Sequence, residues 1–163
     1  MRQTLTTDSV DRYIEATPEA LYDFISDVTR TPEISPEILS CAWIDPATGP
    51  DVGARFKAIN HAGRGPDWPN KPVVVTAVPG REFAFARTEK FAGTIEWRYR
   101  FVPEGSGTRV HESYTVTHQL TIVGWLIIGG LYGLKDRRSD LRAGMTITLE
   151  NLARLTEQAT TEA

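Results

Sequence analysis

The spacing of apolar residues changes from strand-like to helix-like near the start of the chain. In the stretch SVDRYIEA, Val10, Ile14 and Ala16 share one face, which is typical of a half-buried strand. The next stretch, TPEALYDFISDV, offers Thr17 as an N-cap and Pro18 as the first helical residue. Its apolar residues recur at helical spacing, and they are Leu21, Phe24, Ile25 and Val28. We therefore predict a strand and then a helix, followed by a second short helix or turn in the proline-containing stretch TRTPEISPEIL.

Further strands and one long helix are predicted after this point. The predicted strands are LSCAWID, ARFKAINH, PVVVTAV, EFAFARTE, TIEWRYRFV and RVHESYTVTH. Short segments rich in Pro, Gly, Asn and Asp separate them, which favours antiparallel pairing of successive strands. From about Lys135 the helical spacing returns, with its apolar stripe at Leu141, Met145, Thr148, Leu149, Leu152 and Leu155.

This order of elements predicts an α+β fold. We expect a curved seven-stranded antiparallel sheet wrapped around the long C-terminal helix, with two short helices between the first two strands. The long helix is the only predicted element large enough to cover the concave face of such a sheet. The chain of 163 residues has no repeat or linker, so residues 1–163 are predicted to form one domain.

Composition narrows the class of protein further. Apolar residues make up 40% and charged residues 24% of the chain, as in ordinary globular proteins, and the net charge of -3 argues against a nucleic-acid partner. Cys41 is the only cysteine, which excludes an internal disulfide and favours a reducing compartment. The N-terminal stretch has no apolar core or cleavage site typical of a secretory signal, so we expect a cytoplasmic location.

Several stretches carry a resemblance to a known superfamily. They are IEATPEALYDFISDVTRTPEISPEI, VGARFKAINHAGRG, VPGREFAF, IEWRYRFVPEGSGTRVHESY and MTITLENLARLTE. The chain resembles the START/Bet v 1-like (SRPBCC) superfamily, in particular its polyketide cyclase/dehydrase and lipid transport group. The resemblance implies a helix-grip fold, in which the sheet wraps the last helix and leaves a cavity for an apolar ligand. Because this superfamily includes carriers, cyclases and receptors, the resemblance indicates the architecture more strongly than the activity.

The inward faces of two predicted strands carry the candidate chemistry. On TIEWRYRFV, Trp97 and Tyr99 point inward, where they either pack the core or line a ligand cavity. On RVHESYTVTH, Glu112 and Tyr114 share an apolar face, and a buried carboxylate must pair, accept hydrogen bonds or stay protonated. We expect an ion pair between Glu112 and Arg87, and the alternatives are an acid/base role for Glu112 and a solvated sheet edge.

Metal, nucleotide and serine-hydrolase chemistry find no support in the sequence. His111 and His118 are seven residues apart on one strand, which places them on opposite faces, and His61 and Cys41 have no closely spaced partner. The glycine-containing stretches match neither a phosphate-binding loop nor a nucleophile elbow. We therefore predict no metal and no cofactor.

The stretch Leu120 to Leu134 contains no charged residue. Fifteen helical residues reach only about 22 Å, too short for the roughly 30 Å of a bilayer core, so a membrane-spanning helix is disfavoured. Three interpretations remain: an apolar lid over the cavity mouth, a buried crossover, or a surface that meets a membrane or a second copy of the chain. Lys135, Arg137 and Arg138 follow directly, and at a helix start they suggest an anion-facing or interfacial role, or a solvated surface.

Three functional hypotheses follow. The first is binding, and possibly carriage, of one apolar or amphipathic small molecule between the sheet and the last helix. Asn60 is a candidate polar anchor or a hydrogen-bonded strand end. The second is a cyclase or dehydratase that uses Glu112 or Tyr114 as its weak catalytic candidates, and the third is an accessory protein that contacts a membrane or a homodimer partner through residues 120–134. The predicted ligand-binding residues are Trp43, Phe56, Asn60, Phe83, Phe85, Arg87, Trp97, Tyr99, Glu112, Tyr114, Trp125, Met145 and Leu149.

Overall fold

A computed structural model describes residues 4–89, 93–133 and 136–161 of the chain. Within them the strands are β1 (Thr7–Ile14), β2 (Ile38–Trp43), β3 (Phe56–Asn60), β4 (Trp68–Asn70), β5 (Val73–Val78), β6 (Glu82–Glu89), β7 (Gly93–Glu104) and β8 (Gly107–His118). The helices are α1 (Pro18–Ser26), α2 (Ile122–Gly130) and α3 (Arg137–Thr161), and a 3-10 helix covers Val28–Glu33. The predicted α+β architecture, with its curved antiparallel sheet and long C-terminal helix, is confirmed.

The strands form two antiparallel sheets that meet at a corner. The five-stranded sheet has the order β1-β8-β7-β6-β5, and the three-stranded sheet has the order β2-β3-β4. At the corner, the amide of Phe56 donates to the carbonyl of Pro72 at 3.2 Å, and the amide of Val74 donates to the carbonyl of Ala54 at 2.9 Å. The two sheets therefore form one curved wall, in which the regular ladder of backbone hydrogen bonds is interrupted at the corner.

The prediction of one seven-stranded sheet needs correction at this corner. The described residues contain an additional strand, β4, in a segment predicted to be a loop. β4 has only three residues and includes Pro69, so it is too short to show the alternation that identifies a strand from sequence. Its pairing with β3 is supported by the side-chain amide of Asn60, which donates to the carbonyl of Trp68 at 3.2 Å.

The start of α1 follows the capping chemistry of its sequence. The hydroxyl of Thr17 accepts a hydrogen bond from the amide of Ala20 at 3.2 Å, and Pro18 begins the helix. The 3-10 helix then returns the chain to β2, so the segment predicted as a helix or turn is a short, tight helix with its own cap, Asp27. These short elements close one end of the space between sheet and α3.

Helix α3 lies against the concave side of the sheet along its predicted apolar stripe. Leu141, Met145, Leu149 and Leu152 are all at most 3% exposed. Leu149 and Leu152 belong to a large cluster with α1 and the central strands, whereas Leu141 and Met145 belong to a smaller cluster with Leu5. One helix thus joins two separate hydrophobic clusters.

The uncharged stretch after β8 contains helix α2, which the sequence patterns did not predict. Apolar residues lie on all sides of this helix, so their spacing in the sequence does not show the helical period that identifies an amphipathic helix. A fully buried crossover is excluded, since Ile122 is 66% and Leu126 is 70% exposed. Within the described residues, no helix is both long and apolar enough to cross a membrane.

Candidate functional site

A cavity of about 100 Å³ lies between the curved sheet and the N-terminal half of α3. A water molecule needs about 10–15 Å³ of such space, so the cavity has room for several waters or for one small molecule. Its lining residues come from the 3-10 helix and β2, from the other strands and from α3; they are Thr31, Ser35, Pro36, Glu37, Ile38, Cys41, Phe56, Ala58, Asn60, Asn70, Pro72, Phe85, Arg87, Trp97, Tyr99, Glu112, Asp140, Leu141, Gly144, Met145 and Thr148.

The register of the five-stranded sheet brings the aromatic walls together. Phe85 on β6 pairs with Trp97 on β7, and Tyr99 on β7 pairs with Glu112 on β8. Phe56 on the three-stranded sheet extends this aromatic wall. Its ring packs edge-on against the ring of Phe85, with 5.3 Å between the ring centroids. The cavity therefore has an aromatic wall on which a flat apolar molecule can pack.

Glu112 is the most unusual polar group in this wall. Its residue is only 2% exposed, and the hydroxyl of Tyr99 donates to its Oε1 at 2.8 Å. In the part of the chain that the structure describes, its buried Oε2 has no hydrogen-bond partner. A buried oxygen without a partner is costly, which marks Glu112 as a group able to bond to a ligand.

Burial sets the protonation state of Glu112. Removal from water raises the pKa of its carboxyl group to about 8, and the hydrogen bond from Tyr99 lowers it only in part. The pKa of Tyr99 lies well above its usual value, because the ring is buried and the hydroxyl faces Glu112. At neutral pH the carboxyl group therefore carries a proton for most of the time, and it can both donate and accept a hydrogen bond.

A second carboxyl group in the cavity wall behaves in the opposite way. Both terminal guanidinium nitrogens of Arg137 donate to the carboxylate of Glu37, at 2.7 and 2.9 Å. Burial alone would raise the pKa of Glu37, but these bonds and the charges of Arg137 and Arg87 bring the pKa below its usual value. Glu37 is therefore an anion that ties the start of α3 to the segment before β2. Arg137 therefore faces an anion, as expected, and that anion is Glu37 of the same chain.

The cavity approaches solvent between this segment and α3. Pro36 is exposed, and Ser35, Asp140 and Gly144 are half-buried. Gly144 has no side chain, and a Cβ placed there would lie 4.0 Å from Pro36 Cγ. A larger residue at position 144 would therefore narrow the mouth of the cavity.

The structure brings together eight of the predicted ligand-binding residues around the cavity. They are Phe56, Asn60, Phe85, Arg87, Trp97, Tyr99, Glu112 and Met145. Asn60 is 3% exposed and has its side-chain amide bonded to the carbonyl of Trp68, so it is both a strand-end contact and part of the wall.

The other five predicted residues lie elsewhere. Phe83 and Leu149 are in the large hydrophobic cluster, where Phe83 contacts Tyr22, and Trp43 packs edge-on against Phe56. Tyr114 is buried beside the cavity, on the same face of the sheet as Trp97, with 5.6 Å between the two ring centroids. Trp125 is half-buried on α2 and packs against the smaller cluster. The alternation of side chains along a strand predicted the correct face for Phe83 and Tyr114. It does not distinguish inward residues that pack in the core from those that line the cavity.

The expected ion pair between Arg87 and Glu112 is wrong. Arg87 pairs in register with Ile95, which pairs with Val116, four residues and about 13 Å along β8 from Glu112. Glu112 instead pairs across the ladder with Tyr99, which supplies its hydrogen bond. The error came from matching inward faces without the strand register.

Sequence reasoning missed the part of the cavity formed by residues 31–38, since this segment has no periodic pattern. It also missed Leu141 and Thr148 as lining residues, although both lie on the predicted stripe of α3. Cys41 lines the cavity too, and burial raises the pKa of its thiol to about 11, so it is not a thiolate nucleophile at neutral pH. Among the described residues, no three His, Cys, Asp or Glu side chains gather closely enough to hold a metal ion.

One protein family matches the chain over most of its length. Residues 6–157 match the family described as polyketide cyclase / dehydrase and lipid transport. The polyketide cyclase-like protein Cgl2372 from Corynebacterium glutamicum is 30% identical, with 93% of this chain and 91% of that chain covered and a TM-score of 0.59. No curated protein matches the chain.

Two further structures share the fold. The di-domain ARO/CYC protein StfQ of the steffimycin biosynthetic pathway has a TM-score of 0.76 at 15% identity, with 96% of this chain covered. This chain spans only about half of StfQ, since the match covers 52% of that protein. The protein TTHA0849 from Thermus thermophilus has a TM-score of 0.67 at 24% identity, with 94% of this chain and 98% of that chain covered.

The raised pKa of Glu112 predicts a specific dependence of stability on pH. Between its ordinary value of 4.5 and about 8, folded Glu112 keeps a proton that the unfolded chain has released. The free energy of unfolding should therefore fall as pH rises through this window, by up to about 1.4 kcal/mol per pH unit from this group. Glu112→Gln should flatten this slope, and above pH 7 it should be more stable than the wild type, as measured by urea unfolding at a series of pH values.

The exposed residue Glu150 provides the control for this measurement. Glu150→Gln makes the same chemical change at an exposed position of α3, and its slope is the reference for the flattening expected in Glu112→Gln. Equal slopes for Glu112→Gln and the wild type between pH 5 and 8 would show that Glu112 is ionised in the folded protein.

Proposed function

Since the chain belongs to the polyketide cyclase/dehydrase and lipid transport family, we propose that it binds one compact amphipathic molecule in the cavity between sheet and α3. The observation that supports this most directly is the neutral, buried carboxyl group of Glu112, whose Oε2 faces no partner among the described residues. The surrounding wall is mostly apolar, so a bound molecule gains from burial of its apolar body and from one hydrogen bond at Glu112.

The walls favour a ring-bearing molecule. Phe85 and Trp97 are neighbours on adjacent strands, and Phe56 stands edge-on to Phe85, so flat surfaces surround the space. Aromatic rings pack on such surfaces in offset or edge-on geometry. The volume of about 100 Å³ suits a compact ring system better than a long acyl chain.

The chemistry of Glu112 selects the polar group of the ligand. A neutral carboxyl group donates to a ketone oxygen and accepts from a hydroxyl, whereas it gains nothing from a purely hydrocarbon ring. The proposed ligand is therefore a ring system with a hydroxyl or ketone group. Carriage of such a molecule and a cytoplasmic location both remain predictions from the sequence.

A second candidate function uses the same carboxyl group as an acid. A pKa of about 8 keeps Glu112 protonated yet able to release its proton near neutral pH, which suits a general acid. It would donate its proton to a ketone oxygen of a bound substrate while an enol carbon of the same substrate bonds to that carbonyl carbon and its π bond breaks. The enol hydroxyl would return its proton to the Glu112 carboxylate as it becomes a ketone, so the ring closes and the acid is regenerated. Tyr99, rather than Tyr114, is the tyrosine in contact with it, because Tyr114 is buried in the smaller hydrophobic cluster and does not line the cavity.

The binding proposal predicts a preference between two matched probes. The wild type should bind 2-naphthol about fivefold more tightly than naphthalene in titration calorimetry, since one net hydrogen bond contributes about 1 kcal/mol. Glu112→Leu should lose this preference, and Glu112→Gln should keep it because an amide also donates and accepts. Failure of the wild type to bind either probe, or an unchanged preference in Glu112→Leu, would contradict the proposal.

The mouth of the cavity can be tested at position 144. Gly144→Phe should lower the affinity for 2-naphthol by on the order of tenfold, because the new ring would lie against Pro36 across the opening. Gly144→Ala is the control: its Cβ meets only ordinary contact distance, so binding should be unchanged and the helix about 1 kcal/mol more stable. Equal binding by both variants would place the entrance elsewhere.

The catalytic candidate predicts a separation of binding from turnover. With a short triketide thioester as the test substrate, Glu112→Gln should catalyse cyclisation about 100-fold more slowly than the wild type, since Gln cannot transfer the proton. The same variant should bind 2-naphthol normally. Turnover that survives the substitution, or a wild type that does not cyclise the substrate, would leave binding as the function.

A further inference from the structure

The outer side of α2 presents a cluster of exposed aliphatic side chains. Ile122 is 66%, Val123 50%, Leu126 70%, Ile127 38% and Leu131 49% exposed. We call these five residues the α2 outer face. They repeat at spacings of one and four residues, so they lie side by side on one surface of the helix. Scattered apolar side chains are normal on a protein surface, but a contiguous group of this kind marks an interaction site.

The opposite side of α2 is fixed to the body of the protein. Trp125 and Ile128 pack against the smaller hydrophobic cluster, and Gly124 is buried. The hydroxyl of Thr121 accepts from the amide of Gly124 at 3.1 Å and caps the helix. Past the helix end, the ring of Tyr132 lies 4.9 Å from that of Trp68. The α2 outer face is therefore held in one orientation toward solvent.

Positive charge lies at both ends of this face. Arg64 packs beside Gly133, after the end of α2, and among the described residues it forms no ion pair. At the other end, Arg138 is exposed and donates to the carbonyl of Thr4 at 3.0 Å. Thr4 precedes Leu5, whose carbonyl accepts from Gln119 just before α2, so Arg138 is close to the helix start.

Carboxylates also lie near these ends, and among them Asp136 is exposed two residues before Arg138. Asp67 lies 2.7 Å from the ring of His61, and Asp8 accepts from Arg142 at 2.5 Å. No residue of α2 itself is charged. The surface around the α2 outer face is thus apolar in the centre and has an exposed arginine at each end, Arg64 and Arg138.

The size of the face argues against a second copy of the chain as its partner. Its five partly exposed aliphatic side chains offer only a few hundred Å² of accessible surface. A stable interface buries about 800 Å² on each partner. A bilayer has no such requirement, because a few aliphatic side chains with adjacent cations suffice for reversible association.

We propose that the α2 outer face docks on the surface of a lipid bilayer that contains anionic headgroups. The five aliphatic side chains enter the boundary of the acyl chains, while Arg64 and Arg138 meet the headgroups on either side. The inner side of α2 shares its cluster with Leu141 and Met145, which line the cavity. Docking therefore places the membrane next to one wall of the cavity. The proposal rests on the surface alone and does not depend on what the cavity binds.

Vesicle sedimentation of the full chain tests this proposal. The wild type should co-sediment with vesicles of equal amounts of phosphatidylcholine and phosphatidylglycerol, and more weakly with pure phosphatidylcholine. The double variant Ile122→Glu/Leu126→Glu should bind the anionic vesicles at least about tenfold more weakly, because it places two charges in the face. The matched control is Leu39→Glu/Val52→Glu, which makes the same change at residues that are 54% and 67% exposed elsewhere on the surface.

The outcomes are distinct. The proposal is supported if the control binds vesicles like the wild type, both double variants keep the wild-type circular dichroism spectrum, and only the α2 variant loses binding. It is overturned if the wild type does not bind anionic vesicles or if the α2 variant binds as well as the control. Analytical ultracentrifugation gives a further decisive result: a dimer of the wild type that the α2 variant abolishes would assign the face to a second copy of the chain. Binding of 2-naphthol should be normal in the α2 variant, which separates this test from that of the cavity.

Discussion

The packing of α3 against the concave side of the sheet is the contact on which the rest of the structure depends. A curved sheet buries its inner face only if another element fills the curve, and here α3 is that element. Its C-terminal half does so completely, because Leu149, Leu152 and Ala153 pack against α1 and the central strands. Its N-terminal half contacts the sheet through Leu141 and Met145 and leaves the cavity beside that contact. The same helix therefore supplies stability at one end and a binding space at the other.

Two carboxyl groups in the cavity wall show how local surroundings decide chemistry. Glu37 and Glu112 are the same residue type, but Arg137 holds Glu37 as an anion while burial beside Tyr99 keeps Glu112 protonated. The ionised group fixes the start of α3 to the segment before β2. The neutral group leaves an oxygen available inside the apolar wall. Within one cavity, Glu37 thus has a structural role, and Glu112 is the group on which the proposed ligand binding depends.

The place of the cavity between two hydrophobic clusters connects its wall to α2. Met145 lines the cavity and also belongs to the cluster on which Trp125 packs. A change in the position of α2 would therefore shift the side chains of the cavity wall through direct contact. Family membership agrees with a ligand-binding or cyclase-like role, whereas the structures under 25% identity share only the fold.

The sequence alone determined the order of elements and the inward faces of most strands, because these depend on local spacing of apolar residues. The stripe of α3, the inward positions on β7 and the burial of Glu112 were all predictable in this way. Tertiary structure decided the register between strands, which paired Glu112 with Tyr99 rather than with Arg87. It also decided which inward residues line the cavity. Phe83 and Phe85 point to the same face of β6, but only Phe85 lines the cavity. The uncharged stretch shows the same limit: its composition marked it as distinctive, but only its packing on Leu141 and Met145 determined which side faces outward. Local spacing fixes the face of a residue, while register and packing depend on contacts between residues far apart in the chain.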